Sequence, residues 1–154
     1  MQAEQTIVLI NSLIEINNDR IEGYQTASKE TSDADLKIVF AQFIHTSQKC
    51  KAQLIREVQK LSGTPIYGTN SVGKVYRVWM DFKALVTRGS RVAILNSCEQ
   101  GEQIAVNTYQ LALENNNYEL FPALQTLIYA QYELIKAEYD EVKVLRDMLL
   151  EQNA

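Results

Sequence analysis

The chain has 154 residues, is 46% hydrophobic and 22% charged, and carries a formal charge of −4. That balance suits one folded domain with a sizeable core rather than a disordered chain. Its basic residues are scattered rather than gathered in a stripe, so nucleic acid is not an expected partner.

The N-terminal stretch MQAEQTIVLINSL lacks a positive region, and Asn11, Ser12 and Glu15 interrupt its apolar residues. Neither a signal peptide nor a membrane span is expected from it. Two cysteines do not make a disulfide framework, so a reducing cytoplasm is the expected compartment. Four long segments then read as amphipathic helices. The first, about Gln5 to Glu30, carries Ile10, Leu13, Ile14, Ile21, Tyr24 and Ala27 on one face, with Asn17 inside that face and Glu22 on the far side. A turn follows at Thr31-Ser32-Asp33, where Ser32 is the expected N-cap, with Asp35 three residues on.

The second helix runs to about Leu61, with Leu36, Phe40, Phe43, Ser47, Cys50, Leu54, Val58 and Leu61 on its seam. Gly63 is expected to terminate it. The connection of about 28 residues that follows is long enough to hold structure of its own. Its middle, Val72 to Arg88, reads as a shorter helix bounded by Ser71 and Gly89, with Val75, Val78, Trp79, Phe82 and Leu85 on an apolar side. The third helix starts near Ser90 and places Leu95, Cys98, Glu102, Ala105, Tyr109 and Ala112 at alternating steps of three and four. Asn115-Asn116-Asn117 breaks it. Pro122 suits the first turn of the fourth helix, whose seam carries Leu124, Ile128, Gln131, Ile135, Glu138, Val142, Leu145 and Leu149 to about Glu151.

Two helical hairpins joined by a long crossover give one of the common four-helix topologies, with helices two and three parallel. The fold expected for residues 1–154 is therefore a single all-α, ferritin-like four-helix-bundle domain, its crossover holding one short extra helix. Within it, carboxylates are almost never buried without a partner, which makes Glu102 conspicuous. Counting along each helix puts Asn17, Ser47, Glu102 and Glu138 at similar depth, with Cys50 one turn from Ser47. A polar layer of this kind serves as a di-metal site, a hydrogen-bond network that sets register, or a small wet cavity.

Other features have plainer readings. Tyr24, Tyr109 and Tyr139 are spaced to reach the layer from the core margin. Cys50 and Cys98 differ in depth by about 15 Å, so no bond between them is expected. With His45 the only histidine, and on the outer side of helix two, no nucleophile–histidine constellation can be built. The loop Gly68-Thr69-Asn70-Ser71-Val72-Gly73 lacks the lysine and spacing of a phosphate loop. Replacing Glu102 by Leu should cost little, unless a partner is orphaned by the change.

Four stretches carry a resemblance: Glu22-Gly23-Tyr24, Trp79-Met80-Asp81-Phe82-Lys83, Cys98-Glu99-Gln100-Gly101-Glu102 with Tyr109, and Leu145-Arg146-Asp147. Through them the sequence resembles the ferritin-like superfamily, and within it a bacterial family of uncharacterised four-helix-bundle proteins. Metal-binding members carry a Glu on helix one, Glu-x-x-His on helix two, a Glu on helix three and Glu-x-x-His on helix four. Laid onto this chain, those positions are Asn17, Ser47 with Cys50, Glu102, and Ile135 with Glu138. Two carboxylates survive and both histidines are gone. The resemblance thus implies a degenerate metal site in a non-catalytic bundle that acts by association, with a homo-oligomer as one form and no cofactor. The alternative is a redox or metal-binding protein in which Glu102, Glu138 and Cys50 hold a divalent ion such as iron or manganese weakly.

Overall fold

The computed structural model describes residues 2–66, 91–114 and 120–152. They form four helices and, among the described residues, no strand: α1 (Gln2–Glu30), α2 (Ala34–Lys60), α3 (Arg91–Glu114) and α4 (Pro122–Gln152). The crossover helix expected at Val72 to Arg88, with Trp79, lies outside the described residues, as does the asparagine turn. None of the four helices is long and apolar enough to cross a membrane.

Each helix buries the stripe its spacing prescribes. From α2 these are Leu36, Phe40, Phe43, Ser47, Cys50, Leu54 and Val58, and the core draws on all four helices. One departure is on α1, where residues 16–20 are all buried and Ile21 is only half-buried. The seam there passes through Arg20, three residues after Asn17 and four before Tyr24, and α1 is covered around its whole circumference at that level.

Neighbouring helices meet in the order α1, α2, α4, α3, which leaves α2 diagonal to α3. Their directions follow from the cross-links. Arg20 meets Glu102 while Asn17 meets Tyr109, so α1 and α3 are antiparallel. Thr46 meets Glu138 while Gln53 meets Gln131, so α2 and α4 are antiparallel as well. Since α2 is also antiparallel to α1 across their short turn, α2 and α3 run the same way.

The link between α2 and α3 therefore starts at one end of the bundle and finishes at the other. At its start, the Asn11 amide donates to the Thr64 carbonyl (3.1 Å) and accepts from the Ile66 N–H (3.0 Å). At its finish, Arg91 pairs with Asp33 at the α1–α2 turn (2.8 Å).

Two helix ends differ from the sequence reading. The N-cap of α2 is Asp33 rather than Ser32: its Oδ1 accepts from the N–H groups of Asp35 and Leu36. Its other oxygen takes Arg91, a combination that a serine hydroxyl cannot supply. At the far end, Gly63 N–H reaches the Val58 carbonyl and Ser62 N–H the Gln59 carbonyl. This pair of bonds puts Ser62, not Gly63, in the left-handed position, with φ 60°. Gly63 is required for space instead, because a Cβ there would lie 2.8 Å from Ile7 Cδ1.

Candidate functional site

The polar centre of the bundle is built around a residue that the depth argument passed over. Arg20 is completely buried. Its guanidinium plane is bidentate to Glu102, with Nε donating to Oε1 (2.8 Å) and Nη2 to Oε2 (3.1 Å). Nη2 also donates to Glu138 Oε1 (2.7 Å), and Nη1 donates to Ser47 Oγ. Tyr24 OH donates to Glu102 Oε1 (2.8 Å), and Thr46 Oγ1 to Glu138 Oε2 (2.6 Å). The guanidinium carbon lies 5.7 Å from the Tyr24 ring centre and 6.0 Å from that of Phe43, so aromatic faces cover what the carboxylates leave.

Electrostatically the cluster is one buried cation shared by two carboxylates. Burial by itself works against the charge on Arg20, but Glu102 and, behind it, Glu138 outweigh that and raise its pKa further. Burial lifts the Glu138 carboxyl above the usual carboxylate range, while Arg20 and Thr46 pull it back. Two carboxylates brought this close in a core would ordinarily force a proton onto one of them. The guanidinium removes that requirement by standing between them.

One turn nearer the N-terminus of α1 lies a second, uncharged chain of hydrogen bonds. Asn17 Nδ2 donates to the Leu13 carbonyl (2.8 Å) and to Tyr109 OH (2.9 Å), and Tyr109 donates to Gln131 Oε1 (2.8 Å). Gln131 Nε2 then donates to the Cys50 carbonyl (3.2 Å) and to Gln53 Oε1 (2.9 Å). Asn17 Oδ1 is buried without a hydrogen-bond partner. The expected single layer is thus two tiers: Ser47, Glu102 and Glu138 converge on Arg20, whereas Asn17 and Cys50 belong to the tier beside it.

Cys50 enters that tier through its backbone, not its sulfur, and Cys98 is the other free thiol. Burial pushes the Cys50 thiol up to about 11 and Cys98 well above its ordinary value, the reverse of what nucleophiles and thiolate ligands need. Tyr24 and Tyr109 reach the polar centre, but from full burial rather than from the core margin, because their hydroxyls find partners in Glu102 and Gln131. Tyr139 is not part of either tier, and its ring lies against the Lys136 and Lys143 ammonium groups. His45 is exposed on α2. Among the described residues, no group of three or more His, Cys, Asp or Glu side chains is arranged to hold a metal ion.

The family model described as Domain of unknown function (DUF2383) matches residues 5–115. The chain belongs to this family. The match covers α1, α2 and α3, and so includes Arg20, Tyr24, Ser47 and Glu102, while Glu138 and Gln131 come from α4 beyond it. No curated protein matches the sequence.

Arg20 was legible in principle. It sits three residues from Asn17 and four from Tyr24, both of which were recognised on the seam. A long cationic side chain beside a buried acid is the signal that was missed.

Proposed function

We propose that this chain is a ferritin-like bundle in which an arginine has taken over the position of the metal cation, leaving a non-catalytic protein of the cytoplasm that acts by association. The observation that carries this reading is the Arg20 guanidinium between Glu102 and Glu138. The metal pair that a ferritin-like fold implies does not fit these residues. All four carboxylate oxygens already accept hydrogen bonds from Arg20, Tyr24 or Thr46. The imidazoles and bridging acids that a di-metal centre uses are replaced by Asn17, Ser47, Cys50 and Ile135. A cation entering here would have to displace a guanidinium of the same sign. The cluster also offers no ready catalytic group, since both of its carboxylates are occupied and the Cys50 and Cys98 thiols are buried with raised pKa values. The parallel course of α2 and α3, with the link between them running from one end of the bundle to the other, further supports the ferritin-like topology.

The test is metal analysis of protein purified without chelator and dialysed, beside melting curves with added Fe(II) or Mn(II). The expected result is no stoichiometric metal and no metal-dependent rise in Tm. Arg20→Ala, which frees the two carboxylates, should acquire a Mn(II)-dependent rise that grows with ion concentration. About two ions per chain retained by the natural protein through dialysis, as a di-metal bundle would hold, would overturn the reading.

A further inference from the structure

The faces of α2 and α4 that point away from the core are unlike in charge and alike in spacing. On α4, Ala130, Leu134, Ala137, Val144 and Met148 are exposed. They recur on a heptad separate from the core seam, interrupted once by the half-buried Glu141, the pattern of a helix that packs on two sides. Beside this stripe lie exposed acids, Glu133, Asp140 and Asp147. The outer face of α2 carries Lys49, Arg56 and Lys60, also exposed, with Ile38 at 71% exposure near its start. The two helices are adjacent and antiparallel.

Resting on the association reading above, we infer that this face docks a second copy of the chain, related by a two-fold axis parallel to the helices, so that α2 of each copy lies on α4 of the other. Charge selects this arrangement. A two-fold axis across the helices would instead stack α4 on α4 and α2 on α2, setting acids against acids and bases against bases.

Height agrees with the charge. The Thr46–Glu138 and Gln53–Gln131 bonds level Lys49 with Ile135 and Ile38 with Arg146. An axis along the bundle preserves those heights. The partner's Glu133 then comes within a turn of Lys49 and on the Arg56 side of it. The partner's Val144, 57% exposed in one copy, comes within a turn of Ile38. Size agrees as well. The stretch from Ala123 to Met148 is about 37 Å long, and two helices side by side are about 20 Å wide. The patch of about 740 Å² is close to what each partner gives to a standard interface, about 800 Å².

The experiment is sedimentation of the full chain at about 1–100 μM, a range that spans the affinities such interfaces commonly have. A dimer of twice 17.5 kDa is expected. Lys49→Glu and Glu133→Lys should each weaken it about tenfold, and the double variant should recover most of that loss. Val144→Glu should give a folded monomer. All three positions are exposed, and circular dichroism checks that each variant still folds.

A natural chain that stays monomeric across this range overturns the second-copy proposal but leaves the Arg20 reading to the metal analysis. A dimer tightened by either single charge reversal, as like-on-like stacking predicts, or indifferent to all these changes, overturns the surface while leaving association in place.

Discussion

Arg20 brings five N–H groups in a rigid plane, and four of them have partners on three other helices: Ser47 on α2, Glu102 on α3 and Glu138 on α4. A single side chain thereby ties the bundle together at one level. Removing one member of such a cluster leaves an uncompensated buried charge, which typically costs about 3–5 kcal/mol. Arg20→Met is therefore expected to lose stability on that scale near neutral pH, and less in acid, where Glu138, already raised by burial, takes up a proton. Chemical denaturation at pH 5 and pH 8 measures the difference. Glu102→Leu is expected to destabilise as well, though less, since Arg20 keeps Glu138 while its Nε–H and the Tyr24 hydroxyl lose their acceptor; the small cost expected from sequence took no account of these partners. Replacing all three together, Arg20→Met with Glu102→Leu and Glu138→Leu, should recover most of the loss, because an apolar layer leaves no charge unpaired. A triple variant as unstable as Arg20→Met would contradict this account.

At the scale of single elements, α2 is held by two different kinds of end. Asp33 accepts two N–H bonds from the first turn of the helix, and Asp33→Ala should cost about 1 kcal/mol by chemical denaturation. The accompanying bond to Arg91 is half-exposed and adds little. At the C-terminal end, Ser62 occupies a left-handed conformation that L-residues other than glycine adopt at a cost. Ser62→Gly should stabilise by about 1 kcal/mol and Gly63→Ala should destabilise. In the latter the new methyl meets three carbons of Ile7 at 2.8–3.0 Å, so the whole β-branched side chain has to turn. If the order of the two effects were reversed, the assignment of the two residues would be wrong. The sequence announced a terminator at Ser62-Gly63 but not which residue bends and which gives way, because the answer depends on Ile7, 56 positions earlier in the chain.

For the molecule as a whole, charge buried on α1 governs how stability changes with pH. Burial, followed by the neighbouring Glu15 and Glu22 charges, raises Asp19 to about 7, and its Oδ1 has no hydrogen-bond partner. Burial also raises Glu15 and Glu138. An acid whose folded pKa exceeds its unfolded value binds more protons in the folded state, so stability falls as pH rises between the two. For Asp19 that window runs from about 4 to about 7. The melting temperature is expected to decline across it, and Asp19→Asn should flatten the decline and exceed the natural protein at pH 8. A variant whose pH profile parallels that of the natural chain would remove Asp19 as the cause.

What the sequence determined alone is the part that local periodicity carries. Steps of three and four residues identified four helices, their seams and the exposed position of His45, because burying one face of a helix imposes that spacing wherever it occurs. The antiparallel hairpins and the common direction of α2 and α3 followed from the lengths of the links. The presence of Glu102 and Glu138 in the core was legible too. Their meaning was not, because a carboxylate on a seam reads the same whether its counter-charge is a metal, a proton or an arginine. Only the tertiary structure decided that, by bringing Arg20 within hydrogen-bond reach of residues 82 and 118 positions away. It also separated Asn17 from the glutamates by one helical turn, a distance smaller than the error of counting residues from uncertain helix ends.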